Sequence, residues 1–241
     1  MPDKVEKDMW LNFSSEEKQL YLANLAQVNE QLQQQLELEK VDSILILAMM
    51  TRLRQICCEP RMLYENYKGE STKFSMCLDL IETLKENGKK VLLFSSFTSI
   101  FDDFIEEFDR RGIKYHMITG AVDKKKRKEE VDAFQNDDSN VFLISLKAGG
   151  TGLNLTKAQA VIHFDPWWNV SAQNQATDRA YRIGQTKNVL VYQLLMKNTI
   201  EEKIYEMQKR KKEMSDLFVE NSNGGISTLS KEELKDLFSM D

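Results

Sequence analysis

The stretch KVLLFSSFTSIFDDFIEEFDRRGIKYHMIT, residues 90–119, decides the fold. It opens with a short apolar run, residues 91–97, and closes with a second one, residues 113–119. Between the runs, large apolar residues recur at helical spacing and Gly112 follows them: Ile100, Phe101, Phe104, Ile105 and Phe108. That pattern is typical of an amphipathic helix that ends at a glycine. A strand, a helix and a strand in this order predict two parallel strands joined by a right-handed crossover.

The same rhythm continues on both sides of this stretch. Residues 73–87 predict a helix that ends at Gly88, and residues 123–136 and 171–183 predict two more. Three further apolar runs predict strands: NVFLISL at 140–146, AVIHFD at 160–165 and NVLVYQLLM at 188–196. Strand and helix alternate about five times over ~125 residues, and the strands lack alternating polar positions. The sequence therefore predicts an α/β fold, a parallel sheet with helices on both faces.

The two ends of the chain predict helices outside this pattern. Ser14 and Glu17 have capping-box spacing, and an aliphatic run ends at Pro60, so residues 1–70 predict a helical lead-in. A helix that begins near Thr199 and a second capping pair, Ser230 with Glu233, predict a helical tail. The expected organisation is thus a lead-in at 1–70, a sheet domain at 71–197 and a helical segment at 198–241.

Composition excludes several classes of protein. The 241 residues carry a formal net charge of -5, which argues against a protein that coats nucleic acid through bulk charge. No apolar run approaches the ~18 residues of a membrane span, and the N-terminus lacks a signal-peptide core. Three cysteines, Cys57, Cys58 and Cys77, form neither a disulfide framework nor a zinc motif, and we expect Cys57 and Cys58 to be packing residues.

A glycine-rich segment follows one predicted strand, at the carboxyl edge where open parallel sheets bind ligands. In SLKAGGTGLNL, residues 145–155, three glycines would let the backbone approach a phosphate closely: Gly149, Gly150 and Gly152. Lys147 and Thr151 would supply hydrogen-bond donors. A tight turn without a ligand is the alternative interpretation.

Two more segments at this edge carry unusual side chains. In QATDRAYRIGQ, residues 175–185, Arg179 and Arg182 would share one face of a predicted helix. Two adjacent guanidinium groups repel each other unless they bind an anion such as phosphate, although a solvated surface pair is also possible. In HFDPWWNV, residues 163–170, one of two adjacent tryptophans is expected to be exposed and could stack on nucleic acid. The alternative is that both pack against the C-terminal helix, and His163 is expected to be a core or edge histidine.

In their order and spacing, these segments resemble the second helicase lobe of the Swi/Snf-type ATPases. VLLFSSF resembles motif IV, ISLKAGGTGLNLT motif V, and VIHFDPWWNVSAQNQATDRAYRIGQT the linker and motif VI. LRQICCEPRML, residues 53–63, resembles a segment that precedes this lobe, and TIEEKIYEMQKRKKEM, residues 199–214, resembles its brace helix. The resemblance covers nearly the whole chain and implies a RecA-like lobe.

The resemblance also implies roles for individual residues. Arg179 and Arg182 would be arginine fingers for ATP hydrolysis, and Gln175 opens the same motif. Gly150 and Gly152 would line the nucleotide, and Asp178 would orient a finger. The residues expected to contact DNA are Ser95, Ser96, Thr119, Gly120, Arg127, Lys147, Thr151 and Trp168.

Neither a GxxxxGK[ST] loop nor an Asp-Glu dipeptide occurs in the sequence. We therefore expect ATP and Mg²⁺ to be bound mainly by an N-terminal RecA-like lobe, and this lobe to be inactive alone, with no metal ligands of its own. The expected partners are that lobe, in the same polypeptide, and double-stranded DNA, with RNA polymerase as a candidate DNA-bound partner and no membrane. The expected location is the bacterial nucleoid, or the nucleus in a eukaryote. The alternatives are an RNA helicase lobe and a stand-alone nucleic-acid-binding module.

Overall fold

A computed structural model describes residues 2–120, 122–149, 153–167, 170–217 and 229–239. Within them, six strands form one sheet in the order β1-β6-β5-β2-β4-β3. The strands are β1 (Lys4–Leu11), β2 (Val91–Ser95), β3 (Tyr115–Ile118), β4 (Val141–Ser145), β5 (Ala160–His163) and β6 (Val189–Met196). Parallel registers pair Ser95 with Ser145 and Phe94 with His163. These registers confirm the predicted parallel sheet and bring the carboxyl ends of β2, β4 and β5 side by side.

The chain divides into two compact units. The first consists of Met1–Trp10 with Phe74–Leu195 and holds most of the sheet. The second consists of Leu11–Lys73 with Met196–Asp241 and is built from helices. The three-segment organisation expected from the sequence stays a prediction.

The core of the first unit lies on two sides of its central strands. Every residue of β2, β4 and β5 is buried, as expected for strands covered on both faces. Leu92 and Phe94 belong to a cluster with Phe134, which lies on helix α5 (Lys124–Asn136). A separate aromatic group includes Phe104 of α4 (Ile100–Arg111), whose ring centroid lies 4.6 Å from Phe74 and 5.3 Å from Phe164. Phe74 lies on α3 (Thr72–Glu86).

Most predicted helix ends are confirmed. Gly88 and Gly112 both have positive φ angles, 65° and 61°, just after α3 and α4. The segment after β4 differs from the expected loop, because it begins with a short helix, α6 (Leu146–Gly149). The Ser145 hydroxyl caps this turn by accepting a hydrogen bond from the Ala148 amide at 3.3 Å. Helix α7 (Val170–Thr177) ends six residues before the predicted helix end at residue 183.

The expectation that residues 1–70 are helical throughout is wrong at the N-terminus, where β1 is a strand at the sheet edge. The Val189 amide donates to the Asp3 carbonyl at 3.0 Å, and the Lys197 amide donates to the Leu11 carbonyl at 2.8 Å. The residue numbers increase in the same direction along the two strands, from Asp3 to Leu11 and from Val189 to Lys197, so β1 runs parallel to β6. Most of β1 is exposed and charged, so it shows no apolar alternation. Its pairing depends on a strand almost two hundred residues away.

The second unit contains the expected flanking helices. They are α1 (Ser15–Glu37), α2 (Ser43–Cys58), α8 (Ile200–Leu217) and α9 (Lys231–Leu237), with a 3-10 turn at Pro60–Met62. Both predicted capping boxes are present, at Ser14 and at Ser230. Cys57 and Cys58 are buried in this unit, as expected for packing residues, and Cys77 is buried in the first unit.

Candidate functional site

The predicted site residues follow the central strands at their carboxyl ends. Ser96 comes directly after β2, Lys147 lies just beyond β4, and Asp165 lies two residues beyond β5. Thr119 follows β3, which pairs with β4 in parallel register. Because these strands are neighbours in one parallel sheet, their ends form a continuous edge, which is where ligands bind in open α/β sheets.

A buried carboxylate, Asp165, organises the middle of this edge. The Ser95 hydroxyl donates to Asp165 Oδ1 at 2.7 Å, and the Ser96 amide donates to the same oxygen at 3.0 Å. The Ser96 hydroxyl donates to Oδ2. Ser95 is itself buried, and its oxygen accepts a hydrogen bond from the Phe97 amide at 3.1 Å. The expectation that Ser95 contacts a DNA phosphate directly does not fit this burial, whereas Ser96 is only partly buried.

His163, at the end of β5, is a core histidine, as predicted. Its Nε2 lies 2.9 Å from Thr177 Oγ1, which in turn donates to the Gln173 carbonyl at 3.4 Å. The Thr177 hydroxyl therefore accepts from His163 Nε2–H, which assigns the neutral tautomer with its proton on Nε2. Burial lowers the pKa of His163 to about 4, against a smaller opposing effect of the Asp165 carboxylate. This pair links the end of β5 to α7.

The arginine-bearing segment is an irregular turn, which corrects the prediction that Arg179 and Arg182 share a helix face. Helix α7 ends at Thr177, before either arginine. The Arg179 carbonyl accepts from the Leu155 amide at 3.0 Å, and the Ala180 carbonyl accepts from the Gln185 side chain at 3.1 Å. In a continuing α-helix, these two carbonyls would instead accept from the amides four residues further along the chain. The bond from Leu155 also joins the end of the glycine-rich segment to the segment that bears the arginines.

The two arginines nevertheless lie close enough to affect each other. Arg179 is only 9% exposed, whereas Arg182 is exposed. Burial lowers the pKa of the Arg179 guanidinium, the positive charge of Arg182 lowers it further, and Asp178 acts in the opposite direction. The turn therefore places two positive charges near each other, and an anion bound there would relieve the repulsion.

Gln185 holds this turn in place, a role that the sequence did not reveal. Its Nε2 donates to the carbonyls of Ala158 and Ala180 at 2.9 and 3.1 Å. Its Oε1 accepts from the amides of Thr186 and Lys187, both at 3.0 Å. The preceding Gly184 has a φ of 104°, which a residue with a side chain rarely adopts. The turn is thus fixed by hydrogen bonds between the Gln185 side chain and the backbone. Its contacts with Leu155 and Ala158, which precede β5, place the turn near the amino end of that strand, which corrects the prediction that it lies at the carboxyl edge. We name residues 178–185 the arginine turn.

Six other predicted site residues are described. Gln175 and Asp178 are exposed near the end of α7, and Lys147 is exposed on α6. Thr119 is partly buried and Gly120 is exposed after β3. Arg127 lies on α5, and its Nη2 donates to the Val122 carbonyl at 3.3 Å.

Four predicted site residues lie outside the described residues: Gly150, Thr151, Gly152 and Trp168. The neighbouring Trp167 is described, and it packs against the core of the sheet. In the described part of the chain, we find no group of three or more His, Cys, Asp or Glu side chains arranged to hold a metal ion. Among the same residues, a helix that combines membrane-spanning length with apolar character is absent.

Comparison with known proteins identifies the family. Residues 72–184 match the family described as "Helicase conserved C-terminal domain". An uncharacterized ATP-dependent helicase of Mycoplasma pneumoniae is 38% identical over 99% of this chain and 23% of its own length. The solved Sulfolobus solfataricus SWI2/SNF2 ATPase core in complex with dsDNA is 30% identical, with a TM-score of 0.81, over 100% of this chain and 51% of that one. The chain belongs to the Swi/Snf-type helicase family.

A second solved structure places the chain within this family's architecture. The Sulfolobus solfataricus SWI2/SNF2 ATPase C-terminal domain is 26% identical, with a TM-score of 0.79, over 99% of this chain and 100% of that domain. The fold is accordingly RecA-like, and it matches the C-terminal domain of a SWI2/SNF2 ATPase core. The chain spans about a quarter of the length of the curated relatives it matches.

Within the family motifs, the structure adds Asp165, Thr177 and Gln185 to the residues found from sequence. All three are buried polar residues that hold other residues of the site. The sequence signal for them was weak, because each is a single polar residue between motif positions with more obvious chemistry.

Proposed function

We propose that this chain is the C-terminal lobe of an ATP-dependent translocase on double-stranded DNA, with Arg179 and Arg182 as its arginine fingers. The observation that carries the proposal is the arginine turn, whose fixed backbone bears two guanidinium groups close enough to affect each other electrostatically. The names of two similar proteins support the nucleotide and the nucleic acid. One is described as an ATP-dependent helicase, and the other was solved with double-stranded DNA.

The chemistry of the arginine turn suits charge stabilisation on a phosphoryl group. A guanidinium stays charged at neutral pH and donates in a fork that matches two phosphate oxygens. Arg179 is largely buried and thus oriented by the fold, whereas Arg182 is free to extend from the surface. An arginine finger contributes about 10³–10⁵ in rate to phosphoryl transfer. Gln175, Asp178, Gly150 and Gly152 would complete the edge that faces the nucleotide.

The described residues fit a nucleotide more readily than a magnesium site. The donor set at the arginine turn is cationic, which suits the terminal phosphates of ATP. Mg²⁺ prefers carboxylate and water oxygens, and no carboxylate cluster is found among the described residues. We therefore place Mg²⁺ and the cradle for the remaining phosphates on an N-terminal lobe of the same polypeptide, and we expect the present chain alone not to hydrolyse ATP.

The carboxyl edge of the sheet would bind the DNA backbone. Ser96, Thr119, Gly120, Arg127 and Lys147, together with Thr151 and Trp168, would contact one strand without reading its sequence. Ser95 would act indirectly, because its hydroxyl is committed to Asp165. When the two lobes close and open around ATP, this grip would move along the duplex. A DNA-bound protein such as RNA polymerase is a candidate for the obstacle or partner that such movement displaces.

The finger assignment is tested by Arg182→Ala and Arg179→Ala in the full-length polypeptide. We expect DNA-stimulated ATP turnover to fall by about 10³-fold or more. We expect DNA affinity to change less than twofold, because neither arginine is assigned to DNA. Arg182→Lys should remain strongly impaired, since an ammonium group lacks the planar fork. Turnover within tenfold of the parent protein in Arg182→Ala would refute the assignment.

A matched control is Arg110→Ala. It removes an exposed arginine of α4 that forms an ion pair with Glu107 on the same helix. We expect its turnover and its DNA affinity to equal those of the parent protein. Comparing stimulation by duplex DNA and by RNA separates the proposed function from an RNA helicase. Greater stimulation by RNA would favour the RNA helicase instead.

A further inference from the structure

Ile183 is the most exposed of the large apolar residues that the structure describes, at 89%. It lies inside the arginine turn, between Arg182 and Gly184. Single exposed apolar residues are common on protein surfaces, so exposure alone does not indicate a partner. What distinguishes Ile183 is how firmly the backbone on either side of it is held.

The backbone around Ile183 cannot easily turn the side chain back onto the lobe. On its N-terminal side, the Arg179 and Ala180 carbonyls are fixed by Leu155 and Gln185. On its C-terminal side, Gly184 has the unusual φ of 104°, and the Gln185 amide donates to the Arg182 carbonyl at 2.9 Å. A segment whose backbone is fixed before binding loses less conformational entropy when it meets a partner. The turn therefore presents Ile183 to the outside in a fixed position.

The neighbouring residue indicates which partner Ile183 meets. Consecutive Cα atoms lie about 3.8 Å apart, so Ile183 must approach whatever surface surrounds the target of Arg182. Under the proposed function, that target is a nucleotide held by the N-terminal lobe. We propose that Ile183 is an apolar docking contact for the N-terminal ATP-binding lobe of the same polypeptide, buried when the two lobes close and Arg182 reaches the nucleotide. The inference rests on the proposed function and adds a specific contact surface to it.

The effect of this contact on lobe closure can be estimated. Full burial of an isoleucine side chain changes an equilibrium constant by roughly tenfold to a hundredfold. Ile183→Ala should therefore weaken lobe closure by about tenfold, and Ile183→Asp by about a hundredfold or more, because a carboxylate would also be desolvated. Since the side chain is exposed in the lobe itself, neither substitution should change the thermal midpoint of the isolated chain.

The test uses the full-length polypeptide with one fluorophore on each lobe. Closure is measured by energy transfer as a non-hydrolysable ATP analogue is added in the presence of duplex DNA. We expect Ile183→Ala and Ile183→Asp to need more analogue for closure and to lower the DNA-stimulated kcat, whereas DNA affinity stays within twofold. The matched control is Ile44→Asp, because Ile44 is 79% exposed on α2, and we expect its closure to be unchanged.

The outcomes separate this proposal from the finger assignment. If Arg182→Ala is inactive while Ile183→Asp closes and turns over like the parent protein, the docking contact is refuted and the fingers stand. If Arg182→Ala is fully active, the proposed function itself fails. If Ile183 instead mediates a dimer of the 241-residue chain, sedimentation would show an association that Ile183→Asp abolishes, and the docking proposal would be overturned.

Discussion

Glu201→Gln should destabilise the helical unit more than any surface substitution, because Glu201 is half of a fully buried ion pair. Lys73 Nζ lies 2.5 Å from both carboxylate oxygens of Glu201, and both side chains are 0% exposed. Glu201 Oε2 also accepts from the Met196 amide at 3.0 Å. The substitution keeps the shape and an acceptor for Met196 but removes the negative charge that faces Lys73.

The magnitude follows from the burial. Removing one partner of a buried ion pair leaves an uncompensated charge and costs about 3–5 kcal/mol. For a chain of this size, that loss lowers the thermal midpoint by about 6–20 °C. Removing both charges should cost much less, because a buried pair and a well-packed neutral pair differ little in stability. Lys73→Met combined with Glu201→Gln should therefore be more stable than either single variant.

The assay is urea unfolding of the 241-residue chain, followed by far-ultraviolet circular dichroism. Burial alone would lower the pKa of Lys73, but the Glu201 carboxylate outweighs it and holds this pKa above its ordinary value. A raised lysine pKa gives a stabilisation that is complete below about pH 10 and is lost only as the pH rises further. The loss caused by Glu201→Gln should accordingly be the same at pH 7 and pH 9. A loss below about 1 kcal/mol, or a double variant less stable than both singles, would refute the reasoning.

Three further predictions concern the sheet unit. His163 has a folded-state pKa of about 4, below its ordinary value, so the unfolded chain binds one more proton and stability falls by about 3 kcal/mol between pH 6.5 and pH 4. Urea unfolding across this range should show that slope, and His163→Gln should flatten it; an unchanged slope would contradict the assignment. Asp165→Ala should cost about 3 kcal/mol, because it leaves the buried Ser95 hydroxyl without its acceptor, whereas Asp165→Asn should cost less than half as much. Equal losses in thermal unfolding would argue against the carboxylate's role. Gly184→Ala should cost about 1–2 kcal/mol through its positive φ alone, since the nearest atom to an added Cβ is 3.9 Å away, and a neutral result would show that the turn relaxes.

Local sequence patterns were sufficient for most of the fold. The apolar runs at 91–97 and 140–146, and the glycines after α3 and α4, predicted strands and helix ends that the structure confirms. These features succeed because burial on both faces and a left-handed helix end require particular residue types at particular positions. The exposed strand β1 shows the limit of such patterns. Its first five residues, Lys4 to Asp8, are exposed and carry no burial pattern, and hydrogen bonds to the distant β6 pair the strand with the sheet.

The candidate site also combines features that the sequence predicts with features that only the structure reveals. The arginine pair and the glycine-rich segment were recognisable in the sequence, because phosphate chemistry demands guanidinium groups and small residues at close spacing. Their geometry was not recognisable. The sequence between Gln175 and Ile183 has a good helical pattern, yet the helix ends at Thr177, and the Arg179 and Ala180 carbonyls beyond it accept hydrogen bonds from Leu155 and Gln185 instead.

By itself, the sequence determined the parallel α/β fold, the family and the residue types that we propose to face phosphate, since each depends on local periodicity or on chemistry at short spacing. Only the tertiary structure decided that the Ser95 hydroxyl donates to Asp165 and that the Gln185 side chain fixes the arginine turn. It alone decided that Ile183 points outward beside Arg182. The physical reason is that these properties depend on hydrogen bonds and burial between segments far apart in the chain. A polar side chain has several possible partners, and the fold determines which of them lies within reach.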